Sequence, residues 1–207
     1  MKPRSPVTLE VCILAGGLSR RMGCDKSRLK LGGRTLLARL RATAKSLGFP
    51  VRVIRRDAVP RCGPLSGTYT ALKTTDAEAV LFLACDMPFV SPELLRAVCF
   101  RLDQATEALF VDSKGRPGFP FLLRRRTFPM VARQIERGEL SLHELARRLK
   151  AGTFRPPPNW QTQLSNVNTP EEWAAVVRVW NRNSDRSREK RVAPNAPRFP
   201  AKVKQER

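Results

Sequence analysis

The sequence predicts an α/β domain: a mostly parallel sheet covered by helices on both faces. Two continuous apolar runs, Val11 to Ala15 and Ala79 to Cys85, have the length and composition of strands buried on both sides. Segments with apolar residues at helical spacing alternate with runs of this kind, which is the order that builds parallel sheets. The residues with most chemical potential follow strand ends, where open α/β sheets place their ligands.

The first run, Val11-Cys12-Ile13-Leu14-Ala15, stops at Gly16-Gly17. From Thr35 to Leu47 the residues Leu36, Leu37, Leu40, Ala44 and Leu47 recur at helical spacing, and Gly48 and Pro50 end that helix. Val51 to Ile54 reads as the next strand. A loop rich in proline and glycine then leads to a helix start at residues 68–73 and to the strand 79–85, closed by Asp86. Ser91-Pro92-Glu93 sets an N-cap, a first-turn proline and an acid in the order a helix start prefers, with the helix reaching about Leu102. Strands are expected at 108–111 and 119–123, and helices at about 127–137 and 141–150. The second of these helices opens with the capping box Ser141-Leu142-His143-Glu144. Thr169-Pro170-Glu171-Glu172 repeats that logic for a last helix ending near Trp180. Residues 1–181 are thus expected to form one domain. Residues 182–207, polar, basic and broken by Pro194, Pro197 and Pro200, are expected to be a disordered tail.

Composition narrows the function classes. A hydrophobic fraction of 42% with no apolar run near the roughly 20 residues of a bilayer span excludes a membrane-spanning chain. The basic start Met1 to Pro6 lacks a signal-peptide apolar region, so a cytoplasmic location is expected. Five cysteines without short paired spacings argue against a disulfide framework or a cysteine metal site. The net charge of +21 favours anionic partners: nucleotides, nucleic acid or acidic surfaces. Only +6 of it falls on residues 182–207, so the excess belongs to the whole chain.

Within Leu14 to Lys26, a strand end, paired glycines, Arg20, Arg21 and Lys26 share one loop. Glycines admit a phosphate close to the backbone, amide N–H groups donate to its oxygens, and Arg and Lys neutralise it. This is a triphosphate cradle in chemical terms. It is neither a P-loop, which ends in Gly-Lys-Ser/Thr, nor the dinucleotide fingerprint. At the end of the later strand, Asp86 offers a carboxylate on a rigid support, suited to Mg²⁺ shared with substrate phosphates. Asp57 offers a carboxylate that can accept from the N1–H and N2–H₂ edge of guanine, a pairing adenine cannot supply.

The loop Leu14-Ala15-Gly16-Gly17-Leu18-Ser19-Arg20-Arg21-Met22-Gly23-Cys24-Asp25-Lys26 resembles the signature loop of the molybdenum cofactor guanylyltransferase family and its nucleotidyltransferase relatives. The resemblance implies a three-layer Rossmann-like nucleotidyltransferase fold. It also implies that Leu14, Ala15, Gly16 and Gly17 line the nucleotide and that Lys26 meets its phosphates. Gly63-Pro64-Leu65-Ser66-Gly67 is similar to the family's Gly-Pro-Leu-Ala-Gly, with Ser66 in place of alanine, and implies that Gly67 also approaches the nucleotide. Ala84-Cys85-Asp86-Met87-Pro88-Phe89 resembles Cys-Asp-x-Pro-Phe, whose aspartate holds Mg²⁺. Asn166-Val167-Asn168-Thr169-Pro170-Glu171-Glu172 resembles Asn-x-Asn-Thr-Pro-Glu-Asp, and implies that Asn166 and Asn168 face the pterin-bearing substrate. Arg116-Pro117-Gly118-Phe119-Pro120 resembles the approach to the acceptor pocket more loosely.

The implied reaction joins GMP from GTP to molybdopterin and releases pyrophosphate, with Mg²⁺ at Asp86 and with Lys26 or Arg21 spreading the growing charge. Molybdoenzymes and other cofactor-biosynthesis proteins are the implied protein partners. Relatives that use CTP, and sugar-phosphate nucleotidyltransferases with a looser first loop, are the neighbouring alternatives; the Asn-x-Asn-Thr-Pro-Glu ending favours a pterin over a sugar. A non-catalytic binding module whose basic tail holds nucleic acid is an alternative of another class. Retention of both the lysine loop and Asp86 argues against it, and nucleic acid is not an expected partner.

Overall fold

The computed structural model describes residues 7–16, 25–59, 63–103 and 105–192, with side chains to residue 183. Gly17 and Arg21, expected in the phosphate cradle, lie outside the described residues, as does the chain beyond residue 192.

A six-stranded sheet forms the centre. Its strands are β1 (Leu9–Leu14), β4 (Val51–Ile54), β5 (Ala79–Ala84), β6 (Ala108–Ser113), β7 (Arg116–Arg124) and β8 (Gly152–Phe154), in the order β4-β1-β5-β7-β6-β8. β1 pairs in parallel with β4 and β5, and β6 with β8, whereas β7 runs antiparallel to both of its neighbours. The expected α/β class with a mostly parallel sheet is what the chain forms. The reversal follows from a tight hairpin: Ser113 pairs with Arg116, and Lys114 and Gly115 between them have φ of 56° and 79°. Positive φ at both central positions is the two-residue turn that matches strand twist. β7 therefore returns beside β6 and inserts between it and β5.

Alternate residues of each central strand feed opposite cores. Val11, Ile13, Leu81 and Leu83 pack with Leu37, Leu40 and Ala44 of α1 (Leu36–Lys45) and with Leu94, Leu95 and Val98 of α3 (Pro92–Cys99). Cys12, Val80 and Phe82 face the other side, against Leu65, Ala71 and Leu72 of α2 (Pro64–Thr74), Val131 of α4 (Phe128–Glu136) and Leu145 of α5 (Leu142–Arg148). Burial on both faces is why these strands read as unbroken apolar runs. Phe82, Phe121 and Phe110 stack across three strands with centroids 4.8 and 4.9 Å apart.

A third cluster lies outside the sheet. A hairpin of β2 (Lys30–Leu31) and β3 (Arg34–Thr35) contributes Leu31, which packs with Leu36, Val167 and Val176. The turn, Gly32-Gly33, has positive φ at both residues. Trp180 lies so close to Gly32 that a Cβ there would sit 2.6 Å from its ring. Trp180 belongs to α6 (Pro170–Val192), which continues past its expected end near Trp180. Among the described residues no helix is long and apolar enough to cross a membrane.

Candidate functional site

β1 is the switch point of the sheet. The chain leaves it through α1 on one face to reach β4, then returns through α2 on the opposite face to β5, on the other side of β1. Loops that depart to opposite faces leave a crevice at the carboxyl ends of the strands. A cleft of about 580 Å³ occupies that place, lined by residues that include Leu14, Ala15, Gly16, Lys26, Asp57, Gly67, Asp86 and Asn166. A larger cavity of about 810 Å³ lies by Glu78 and Arg124, at the opposite end of the strands. Arg124 and Arg126, which line it, are paired with Glu78 and Glu107.

Each wall of the cleft is fixed by local structure. The strand tips are tied together where the Ala15 N–H donates to the Ile54 carbonyl at 2.8 Å and the Cys85 N–H to that of Leu14 at 3.2 Å. Gly16 passes so close to residue 55 that a Cβ would lie 3.1 Å from the Arg55 carbonyl oxygen, and at Gly67 a Cβ would lie 2.9 Å from the Leu14 side chain. Both glycines thus sit where the elements that form the cleft approach closely, against backbone at Gly16 and against the end of a side chain at Gly67.

Lys26 opens a 3-10 turn, Lys26–Arg28, capped by Asp25. The Asp25 Oδ1 accepts from the Ser27 N–H at 2.9 Å and the Ser27 hydroxyl at 2.7 Å. The Ser27 hydroxyl bond leads in holding this carboxyl below the usual range. From this turn the Lys26 ammonium reaches Asp86 Oδ2 at 3.3 Å and Asn168 Oδ1 at 2.8 Å.

Asp86 sits just beyond β5 with 18% of its side chain exposed, and burial raises its pKa, with Lys26 as the largest opposing influence. Its Oδ1 is buried with no hydrogen-bond partner among the described residues. A desolvated carboxylate with one oxygen unclaimed favours an added cation. Among the described residues no group of three or more His, Cys, Asp or Glu is placed to hold a metal. Any ion here would rest on Asp86 and take its other ligands from substrate phosphates and water, the pattern of Mg²⁺.

The asparagines are delivered by an alternation about Val167. Val167 is fully buried, and its N–H donates to the Asp86 carbonyl at 2.9 Å. Asn166 and Asn168 flank it; the first lines the cleft and the second holds Lys26. Glu172 completes a capping box at the start of α6: its Oε2 accepts from the Asn168 N–H at 2.5 Å and the Thr169 N–H at 3.2 Å, while Thr169 Oγ1 accepts from the Glu172 N–H at 3.3 Å. The anticipated box at Ser141 is only half made. Ser141 accepts from the Glu144 N–H, but the Glu144 carboxylate pairs with Arg147 and Arg148.

Asp57 lines the side of the cleft formed by α2, and Ser66 Oγ is 2.9 Å from its Oδ2. Phe119 also lines the cleft, whereas Arg116 is exposed at the far end of β7 by the hairpin turn. His143 is exposed on α5. The sequence assigns no role to Asp25 or Ser66, and gives Glu172 the helix-capping role that the structure shows. Asp25 carries a signal in the Asp-x-Ser turn, and Glu172 in the Thr-Pro-Glu-Glu cap. Ser66 shows only as a departure from the loop pattern.

Comparison with known proteins gives a consistent picture. Residues 11–152 match the model of the "MobA-like NTP transferase domain". A protein of Opitutus terrae named "Probable molybdenum cofactor guanylyltransferase" is 32% identical over 200 residues, covering 86% of this chain and 93% of that one. The "Molybdenum cofactor guanylyltransferase" of Shewanella sp. strain ANA-3 is 28% identical and covers 79% of this chain and 92% of its own. Among solved structures, molybdopterin-guanine dinucleotide biosynthesis protein A from Archaeoglobus fulgidus superposes with a TM-score of 0.63 at 18% identity, over 84% of this chain and 99% of that one.

Proposed function

This chain belongs to the MobA-like NTP transferase family, and from that premise we propose that it transfers GMP from GTP to the terminal phosphate of molybdopterin, forming the guanine dinucleotide and releasing pyrophosphate. The names of its relatives support the acceptor. The observation that carries the reading is Lys26, whose ammonium joins Asp86 at a strand tip to Asn168 on the segment that packs beside it. One cation thus stands where a triphosphate and its acceptor would meet.

In this reaction an oxygen of the acceptor phosphate attacks the α-phosphorus of GTP. The bond from that phosphorus to the bridging oxygen breaks, and pyrophosphate leaves with the electron pair. A phosphate monoester is largely ionised near pH 7, with a second pKa of about 6, so no protein base is needed to activate it. That accords with the exposed position of His143, away from the cleft. No covalent enzyme intermediate is needed either. Cys85 borders Asp86, but burial pushes its thiol up to about 12, which leaves it protonated and unreactive.

Catalysis therefore consists of positioning and charge neutralisation. Gly16 and Gly67 admit the nucleotide close to the backbone. Asp57 accepts from the guanine edge, Lys26 draws on the phosphates, and Asn166 and Asn168 orient the acceptor. Asp86 would hold magnesium, which would offset charge on the reacting phosphates.

Incubation with molybdopterin, Mg²⁺ and labelled GTP, CTP or ATP in parallel tests the proposal. GTP is expected to give pyrophosphate and a guanine dinucleotide, with CTP and ATP giving none. A cytosine dinucleotide would overturn the assignment of Asp57, and no transfer from any nucleotide would overturn the reaction.

A further inference from the structure

We infer that Ser66 is a specificity-determining positioning residue, which aims the Asp57 carboxylate at the guanine edge; this rests on the base-reading role proposed for Asp57.

Asp57 lies on the loop after β4, in a stretch with no regular structure to fix its side chain. α2 supplies two supports. Ser66 Oγ, on a residue only 1% exposed, is 2.9 Å from Asp57 Oδ2. One turn later, Thr70 Oγ1 accepts from the Ala58 N–H at 2.9 Å. Residues four apart lie on one helix face, so a single face of α2 holds both the carboxylate and the backbone beside it. Thr70 is itself held, because its hydroxyl donates to the Ser66 carbonyl at 2.8 Å.

Ser66 is not explained by helix needs alone. The N-cap of α2 is Gly63, with φ of 66° and no side-chain cap, and Ser66 Oγ also lies 2.8 Å from the Gly63 carbonyl. The hydroxyl has one proton for these two acceptors, and the ionised carboxylate is the stronger. Among the described residues Ser66 is the only hydrogen-bond partner of the Asp57 side chain. An alanine here, as in the loop pattern this segment resembles, would remove that hydrogen bond from the carboxylate.

The consequence is a matter of specificity. A carboxylate that receives both N1–H and N2–H₂ must present its oxygens in the plane of the base, and each oxygen keeps a lone pair for the purpose even while Oδ2 accepts from Ser66. Inosine triphosphate is the direct probe because it keeps N1–H and lacks the N2 amine. A site built around that amine rejects the analogue that lacks it.

The test is equilibrium binding of Mg-GTP and Mg-ITP to the wild type, Ser66→Ala, Asp57→Ala and the double variant, with thermal unfolding of each and with kcat and KM for transfer. Ser66→Ala is expected to weaken GTP binding about three- to tenfold, the range for one hydrogen bond. It should also move the ITP-to-GTP Kd ratio toward one, raise KM more than it lowers kcat, and add nothing once Asp57 is gone. Ser66→Thr, which keeps the hydroxyl, should retain the wild-type ratio. If Ser66→Ala keeps the wild-type ratio while Asp57→Ala abolishes it, the inference fails and the base-reading role stands. If Asp57→Ala leaves both affinity and ratio unchanged, that role fails and the inference with it. Equal weakening for both nucleotides by Ser66→Ala, additive with Asp57→Ala, would mark Ser66 as merely structural.

Discussion

Asp86→Asn is expected to lower turnover by at least about 10³-fold, because in the proposed reaction this carboxylate would hold the ion that offsets several kcal/mol of charge on the reacting phosphates. Asparagine has the same shape, and the backbone contacts of the strand tip remain: the Asp86 carbonyl still accepts from the Val167 N–H. The fold should therefore survive. Stability should move the other way from activity. Burial raises the pKa of Asp86 in the folded protein, so folding favours its protonated form. That favourable contribution is complete below the unfolded pKa and is lost as pH rises through the folded one; above it, holding the bare carboxylate costs stability. The asparagine variant should thus match the wild type in acid and gain on it as pH rises through that window. Denaturant unfolding at several pH values, beside transfer assays, checks both halves. Full turnover by the variant would remove the metal-holding role, and a loss of stability that grows toward neutral pH would contradict the cost assigned to the buried charge.

Lys26→Met is expected to reduce kcat/KM by about 10²- to 10³-fold, the usual loss when one positioned donor to a developing charge is removed. The methionine keeps much of the apolar stem and removes only the ammonium. Two effects combine here. Asp86 loses the cation that most opposes its burial, so its carboxyl pKa rises further and it binds a cation less readily at a given pH. Asn168 loses the partner that fixes its amide at 2.8 Å. The defect should therefore appear in the KM for the acceptor as well as for GTP, and it should shrink at higher pH as Asp86 ionises. A variant defective only toward GTP, with no change in pH profile, would show that Lys26 does not couple Asp86 to Asn168.

What could be read from the residues divides along physical lines. The buried strands β1 and β5, the capped helices and the place of Asp86 are legible because their requirements are local: apolar runs, N-caps, a strand end. The direction of β7 was not, since Phe121, Leu122 and Leu123 report burial and not polarity of the chain. The small hairpin did carry a signal, the Gly32-Gly33 pair, but each strand is only two residues long. The last helix runs past its expected end near Trp180 because a polar sequence is no bar to helix. Arg, Lys and Glu are good helix formers, and the first proline is Pro194, two residues past the helix end at Val192. At the site, the residues expected around a nucleotide come to one cleft where they are described. The contact of Lys26 with Asn168 spans 142 positions, and nothing in either local segment announces it. Ser66 likewise became informative only when its hydroxyl was seen against Asp57.

The central claim is that a glycine-bounded lysine turn and a strand-end carboxylate grip one triphosphate from two sides. A crystal structure with magnesium and a GTP analogue blocked at the α–β bridge measures this directly. The account predicts phosphate oxygens within hydrogen-bond reach of Lys26 Nζ, the ion on Asp86 and the guanine edge on Asp57. A nucleotide whose phosphates contact neither Lys26 nor Asp86 would contradict it.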